Sequence, residues 1–129
     1  DSSYNLFEKL KLENFSLMPG SESKLLKGLE LGCSGIITAT CNVTAQLARR
    51  VYDDFNNGKD QSYNQKLIDV RNTFEKYNLI SSLHTFFSKD DEIYKNLLPP
   101  LSLLNDLEDK DLMQSLKTLN FKFDSQLAA

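Results

Sequence analysis

The sequence predicts an α/β protein, and three observations carry that prediction. A strand, a helix and a second strand follow one another within residues 14–40, the second strand is apolar on both faces, and from Thr44 onward apolar residues recur at helical spacing. The first strand is "NFSLM", residues 14–18, a short apolar run closed by the Pro19-Gly20 turn. Ser21 or Ser23 then caps a helix carrying Leu25, Leu26, Leu29 and Leu31, stopped near Gly32. The second strand, "CSGIITAT" at residues 33–40, is rich in β-branched residues and apolar on both sides, the pattern of a parallel strand covered by helices on each face. Together these form one βαβ unit.

Helices account for the rest. Leu6, Phe7 and Leu10 place a helix over residues 4–11. Leu47, Val51 and Phe55 recur every four residues after Thr44 until the Asn-Asn-Gly stop at 56–58. Leu67, Val70, Phe74 and Tyr77 form one stripe over 62–77, and "ISSLHTFF" and "DEIYKNLL" predict two shorter helices around a Ser-Lys-Asp-Asp turn. Pro99 and Pro100 break the chain. Asn105 with Glu108 three positions on predicts a capping box opening the last helix, which carries Leu107, Leu112, Leu116 and Leu119. The residues after Phe121 are expected to be a frayed tail. A parallel sheet of two strands is scarcely stable by itself, so further strands are expected upstream of Asp1.

The composition of the 129 residues, 40% apolar and 26% charged with a net charge of −3, is that of a globular domain. Lys and Arg are scattered among Asp and Glu, leaving no basic stripe for a nucleic acid, and no apolar run approaches the roughly 20 residues of a membrane span. With an acidic, polar start, a cytoplasmic location is expected. Cys33 and Cys41 at the ends of an extended run would lie about 26 Å apart and could not pair. Two thiols and the lone His84 are too few for a structural zinc site, so neither metal nor cofactor is expected. His84 is expected at an interhelical contact.

In parallel α/β folds the ligand side is the carboxyl end of the strands. Two such ends are visible, "MPGSES" at 18–23 and "TATCN" at 38–42. Their small side chains and free amides suit a carboxylate or a hydroxyl. A structural reading stands beside that one: Gly20 makes a tight turn, Ser21 and Ser23 cap a helix, and Thr38 and Thr40 are β-formers. Neither loop has the G-x-G-x-x-G pattern or a G-K-[ST] ending, which disfavours a nucleotide.

The letters add to the periodicity. "DSSYN" at 1–5, "PGSE" at 19–22 and "GCSGIITATCNV" at 32–43, in that order and at that spacing, resemble the dihydrodipicolinate synthase and N-acetylneuraminate lyase family of class I aldolases. The resemblance runs from Asp1 to about Phe121. It implies the C-terminal part of a (β/α)₈ TIM barrel, from helix six to helix eight over residues 1–58, followed by a C-terminal helical segment over 59–121 and a tail over 122–129. It implies a pyruvate or 2-oxo acid substrate and a Schiff-base lysine immediately before Asp1, so that the chain alone is inactive. The lysines present, Lys9, Lys11, Lys24, Lys27, Lys59 and Lys66 among them, fall on polar faces or turns and offer no replacement. The family's proton-relaying tyrosine and its Thr-Thr pair belong to earlier strands.

Carried over residue by residue, the resemblance implies substrate contact at Ser2, although Tyr4 stands where a glycine is usual, and at Gly20, Ser21 and Glu22 in the loop after the seventh strand. Ile37 matches the position whose carbonyl faces the lysine, and Thr38 and Ala39 follow on the rim. For Glu22 two roles stay open, a carboxylate that binds substrate hydroxyls and an acidic residue favoured by a helix N-terminus. "LISSLH" at 79–84 replaces the Asn-Pro-x-Pro-x-Lys stretch of dihydrodipicolinate synthases. The expected parent is therefore an aldolase or lyase acting on a 2-oxo-3-deoxy sugar acid, with dihydrodipicolinate synthase as the alternative. Family members are commonly tetramers, which implies an oligomeric parent. A competing reading from another class is a non-catalytic helical interaction module.

Overall fold

The computed structural model describes residues 2–10 and 13–124, and they divide between two compact units, Asp1–Ile68 and Asp69–Ala129. Asp1, Lys11, Leu12 and residues 125–129 lie outside the described residues, and with them the first letter of "DSSYN" and most of the expected tail.

The first unit opens with helix α1, Ser2–Lys9. After an irregular stretch, Ser21 adopts an extended conformation and its Oγ accepts the Ser23 N–H, starting a single 3₁₀ turn, Glu22–Lys24, that runs into α2, Leu25–Glu30. Both serines proposed as caps thus lie in one cap. Helix α2 buries Leu25, Gly28 and Leu29. Gly28 is required by close approach: a Cβ there would meet Pro19 Cγ at 3.2 Å and Cys33 Cβ at 3.5 Å. Gly32, at a φ of 90°, ends the helix in the left-handed region. Helix α3, Cys41–Asn56, turns Val43, Thr44, Ala48 and Val51 inward. Leu25, Leu29, Ala48, Val51 and Leu67 form the core, flanked by Leu26, Ile36, Leu47, Tyr52 and Phe55. Gly58, at a φ of 63°, closes the α3 stop.

The two strands predicted over residues 14–18 and 33–40 do not form as strands; among the described residues there is no strand at all. What remains of their pairing is two bonds of parallel sense: Ser34 N–H donates to Leu17 O at 2.9 Å and Ile37 N–H to Pro19 O at 3.2 Å. The reason lies in residue types. A parallel ladder would return a bond from residue 19 to the Ser34 carbonyl, and Pro19 has no N–H to give. The next forward bond, due from residue 36, arrives one residue late at Ile37, and Gly35 between them takes a φ of 155°. The segment is bulged, and two lone segments do not hold a regular ladder.

Helix α4, Asn64–Glu75, spans the point of division. The second unit buries Val70 and Phe74 from α4, Leu83 from α5, Leu79–Phe87, and Leu112 and Leu116 from α6, Asp106–Thr118. Phe74 and Phe86 meet edge to face at 5.4 Å. Asn78 caps α5 by accepting the Ser81 N–H. The capping box at α6 is complete: Asn105 Oδ1 accepts the Leu107 and Glu108 N–H groups, and Glu108 Oε2 accepts the Asn105 N–H. "DEIYKNLL" yields only a 3₁₀ turn, Glu92–Lys95, because Asp91 caps it and Asn96 turns extended. Helix α6 ends at Asn120, φ 49°, where Phe121 N–H bonds Leu116 O and Asn120 N–H bonds Lys117 O, a Schellman closure. Past Phe121 the chain is still held, since Phe123 packs edge to face on Phe86 and Phe87.

Candidate functional site

The two loops singled out by the sequence meet in the first unit. Thr38 Oγ1 donates to Glu22 Oε1 at 2.7 Å, and Thr44 Oγ1 donates to the same oxygen at 2.8 Å. Glu22, Thr40 and Thr44 are each 0% exposed. A carboxylate taken out of water is costly unless hydroxyls or amides replace its hydration, and the two threonines do so here. Thr38 Oγ1 also accepts the Cys41 N–H at 3.2 Å, so one side chain both satisfies an orphan amide at the start of α3 and holds Glu22.

The other predicted residues of this unit are exposed or half-buried. Gly20 is exposed, and a Cβ there would stand 3.9 Å from Ile37 O, so the first loop lies against the second at this carbonyl. Ser21 is half-buried, its Oγ 2.9 Å from Ser23 Oγ. Ile37 is 72% exposed, a large apolar side chain standing free of the core. Ala39 is half-buried, and its carbonyl accepts the Asn42 backbone and side-chain N–H groups. Ser2 lies exposed on α1; its neighbour Ser3 accepts a bond from Lys24 Nζ at 2.8 Å, which ties the start of α1 to the turn after Glu22. Lys24 also stands over the Tyr4 ring. Glu22 is the one predicted contact residue whose side chain is turned wholly inward.

Both thiols are free. Burial pushes the Cys41 thiol up; its hydrogen bond to the Thr38 hydroxyl pulls the other way, and the Glu22 carboxylate beside it pushes up again. A thiol so placed is a poor nucleophile. Sequence reasoning passed over Cys41 and Thr44 as chemistry. The available signal was Thr44 itself, a hydroxyl on the stripe otherwise made by Val43, Leu47, Ala48 and Val51. His84, in the second unit, sits at a packing contact, its Nδ1 2.7 Å from Tyr94 O. Among the described residues no group of three or more His, Cys, Asp or Glu could hold a metal, and no helix is long and apolar enough to cross a membrane.

The dihydrodipicolinate synthetase family matches the chain over residues 3–119. Among solved structures, YagE, a prophage protein from E. coli K12 belonging to the dihydrodipicolinic acid synthase family and determined in complex with pyruvate, superposes with a TM-score of 0.72 at 20% identity. The superposition covers 84% of this chain and 38% of the YagE chain. No curated protein matches the chain.

Proposed function

Since the chain belongs to the dihydrodipicolinate synthetase family, we propose that it is the C-terminal portion of a class I pyruvate-dependent aldolase or lyase, supplying the acceptor-side rim of the active site. In this reading residues 1–58 complete a TIM barrel, residues 59–121 form the C-terminal helical segment that follows in sequence, and residues 122–129 are a tail. The parent is a cytoplasmic tetramer.

The chemistry is carbon–carbon bond formation or cleavage at pyruvate C3. A lysine immediately before Asp1 attacks the C2 carbonyl and, with loss of water, gives an imine. Loss of a C3 proton makes the enamine, whose C3 attacks an aldehyde carbon while the aldehyde oxygen gains a proton. Hydrolysis frees the 2-oxo acid and restores the amine; the lyase direction runs the same steps in reverse. Lys24 is no substitute for that amine, because its Nζ donates to Ser3. Ser2, Gly20, Ser21, Ile37, Thr38 and Ala39 supply small side chains, hydroxyls and backbone groups around the acceptor. The polyhydroxylated end of a 2-oxo-3-deoxy sugar acid suits such a lining, since each substrate hydroxyl needs a partner once water is excluded.

The observation that carries the reading is the joining of the two loops, Thr38 Oγ1 to Glu22 Oε1, across 16 positions of sequence. The test is reductive trapping in a barrel completed upstream of Asp1. Pyruvate with borohydride should add the mass of one pyruvic acid less one oxygen atom, on the residue preceding Asp1. Absence of that adduct in a folded, completed protein would dispose of the proposal.

A further inference from the structure

Glu22 is the feature of these loops that the reading above leaves without a task. It is 0% exposed, so no ligand at the rim can reach it, and any additional chain packed on this unit could only cover it further. Its Oε1 is nevertheless the point on which the site's polar bonds converge. From one side comes the Thr38 hydroxyl, which itself accepts the Cys41 amide; from the other comes the Thr44 hydroxyl, placed also 3.1 Å from Thr40 O. The Cys41 thiol lies against the same carboxylate. A continuous relay of donors therefore runs from the first amide of α3 through Thr38 to a residue of the opposite loop.

We propose that Glu22 is a positioning residue: by accepting the Thr38 and Thr44 hydroxyls it locks the turn at residues 19–24 to residues 37–41 and so sets the gap that receives the acceptor. The alternative, direct contact with substrate hydroxyls, would require the carboxylate to face the rim. Breaking two hydroxyl bonds to turn it outward costs more than a substrate hydroxyl returns, because Thr38 would lose this acceptor and buried Thr44 would keep only its longer contact with Thr40 O. Rim residues need such a device here. The backbone pairing between the two segments amounts to two bonds, and a bulge separates them, so the ladder cannot fix their distance.

The lock is tested on the chain itself, independently of the aldolase reading. Cys41 sits at the lock, and its labelling by an aromatic disulfide reports how often the lock opens. In a Cys33→Ala background, Thr44→Val should speed labelling about fivefold, the factor expected for one lost hydrogen bond, and Thr44→Ser should restore the slow rate. An unchanged rate in Thr44→Val, or equal acceleration in Thr44→Ser, would overturn the lock, since the methyl group rather than the hydroxyl would then be holding Cys41. Should Cys33→Ala prevent folding, peptide mapping of labelled sites in chains that keep both thiols reads the Cys41 rate separately.

The link to the acceptor rests on the proposed function and needs the completed barrel. There Thr44→Val should raise the KM for glyceraldehyde about fivefold, again one hydrogen bond's worth, with pyruvate trapping by borohydride intact, and Thr44→Ser should recover the KM. A change in kcat with KM unmoved would overturn the acceptor link. Loss of trapping in the unsubstituted protein would sink the aldolase reading and this link together, leaving the labelling result to stand on its own.

Discussion

The first unit gathers hydroxyls on one buried carboxylate where the second gathers aromatic rings around Phe74. Among the described residues, the largest fully buried side chains of the first unit are Leu67, Val51, Glu22, Thr40 and Thr44, and those of the second are Phe74, Leu112, Val70 and Ser82. In the second unit the rings of Phe74, Phe86, Phe87 and Phe123 meet at centroid distances of 5.4 to 5.9 Å. Packing of that kind stabilises mainly in proportion to the apolar area removed from water, with a smaller edge-to-face preference. A buried carboxylate with two hydroxyl donors adds less stability, and it fixes direction and distance. The difference separates two tasks: the helical unit holds itself together, and the loop unit holds a geometry.

The largest effect should therefore come from the rings. Phe74→Ala removes a fully buried side chain and its contact with Phe86, and should destabilise the second unit by about 3–5 kcal/mol. Urea unfolding followed by amide exchange at Leu112 and Leu116 measures it. Glu22→Ala should come next, at about 1–3 kcal/mol, because it takes the carboxylate acceptor from the Thr38 and Thr44 hydroxyls and leaves Thr44 only its longer contact with Thr40 O. Its loss of exchange protection should be confined to the start of α3. If Glu22→Ala cost more than Phe74→Ala, polar bonds would be the main support of the molecule and the contrast would be reversed. Asn105→Ala, which removes the side-chain acceptor of the capping box and leaves the Glu108 bond to the backbone amide of residue 105, should cost about 1 kcal/mol.

Much of this contrast was legible in the sequence, and the failures have physical causes. Helices α3 and α4, and α6 with its capping box, follow from spacing and from Asn105 and Glu108, because those signals are local. Both predicted strands failed, because a strand is a property of a pair: Pro19 removes the return donor and Gly35 admits a bulge, and neither shows in the β-propensity of the run. "DEIYKNLL" has helical spacing too, yet Asp91 and Asn96 stop it after one turn. The stop at Asn120 was missed, since asparagine takes the left-handed region less obviously than glycine does. At the site, the family resemblance named the loops and spacing alone could not choose between a capping and a binding role. The inward turn of Glu22 depends on Thr44, a partner 22 positions away, and no local pattern announces such a pairing.

The smallest expected effect concerns charge at the surface of the second unit, and it has a definite pH signature. Asp111 Oδ2 accepts both Lys76 Nζ at 2.7 Å and the Tyr77 hydroxyl at 2.8 Å. The Lys76 bond first, then the Tyr77 bond, holds the Asp111 carboxyl below its usual range, while the bonds to Asp111 raise Lys76 and Tyr77. A depressed carboxylate contributes stability above its unfolded pKa of about 3.9, lost as pH falls through the folded value. The raised lysine and tyrosine contribute below about 10, lost as pH climbs through their folded values. The triad thus supports the fold across the neutral range and fades on both flanks. Asp111→Asn should flatten the acid and alkaline limbs of a stability profile taken by urea melts at a series of pH values. With Lys76 at 55% and Asp111 at 40% side-chain exposure, solvent screens the pair. The change at neutral pH should accordingly be smaller than that of Asn105→Ala and should shrink in added salt. A neutral-pH loss exceeding the cap's, unmoved by salt, would mean that surface charge, rather than ring packing and caps, orders the helices of this unit.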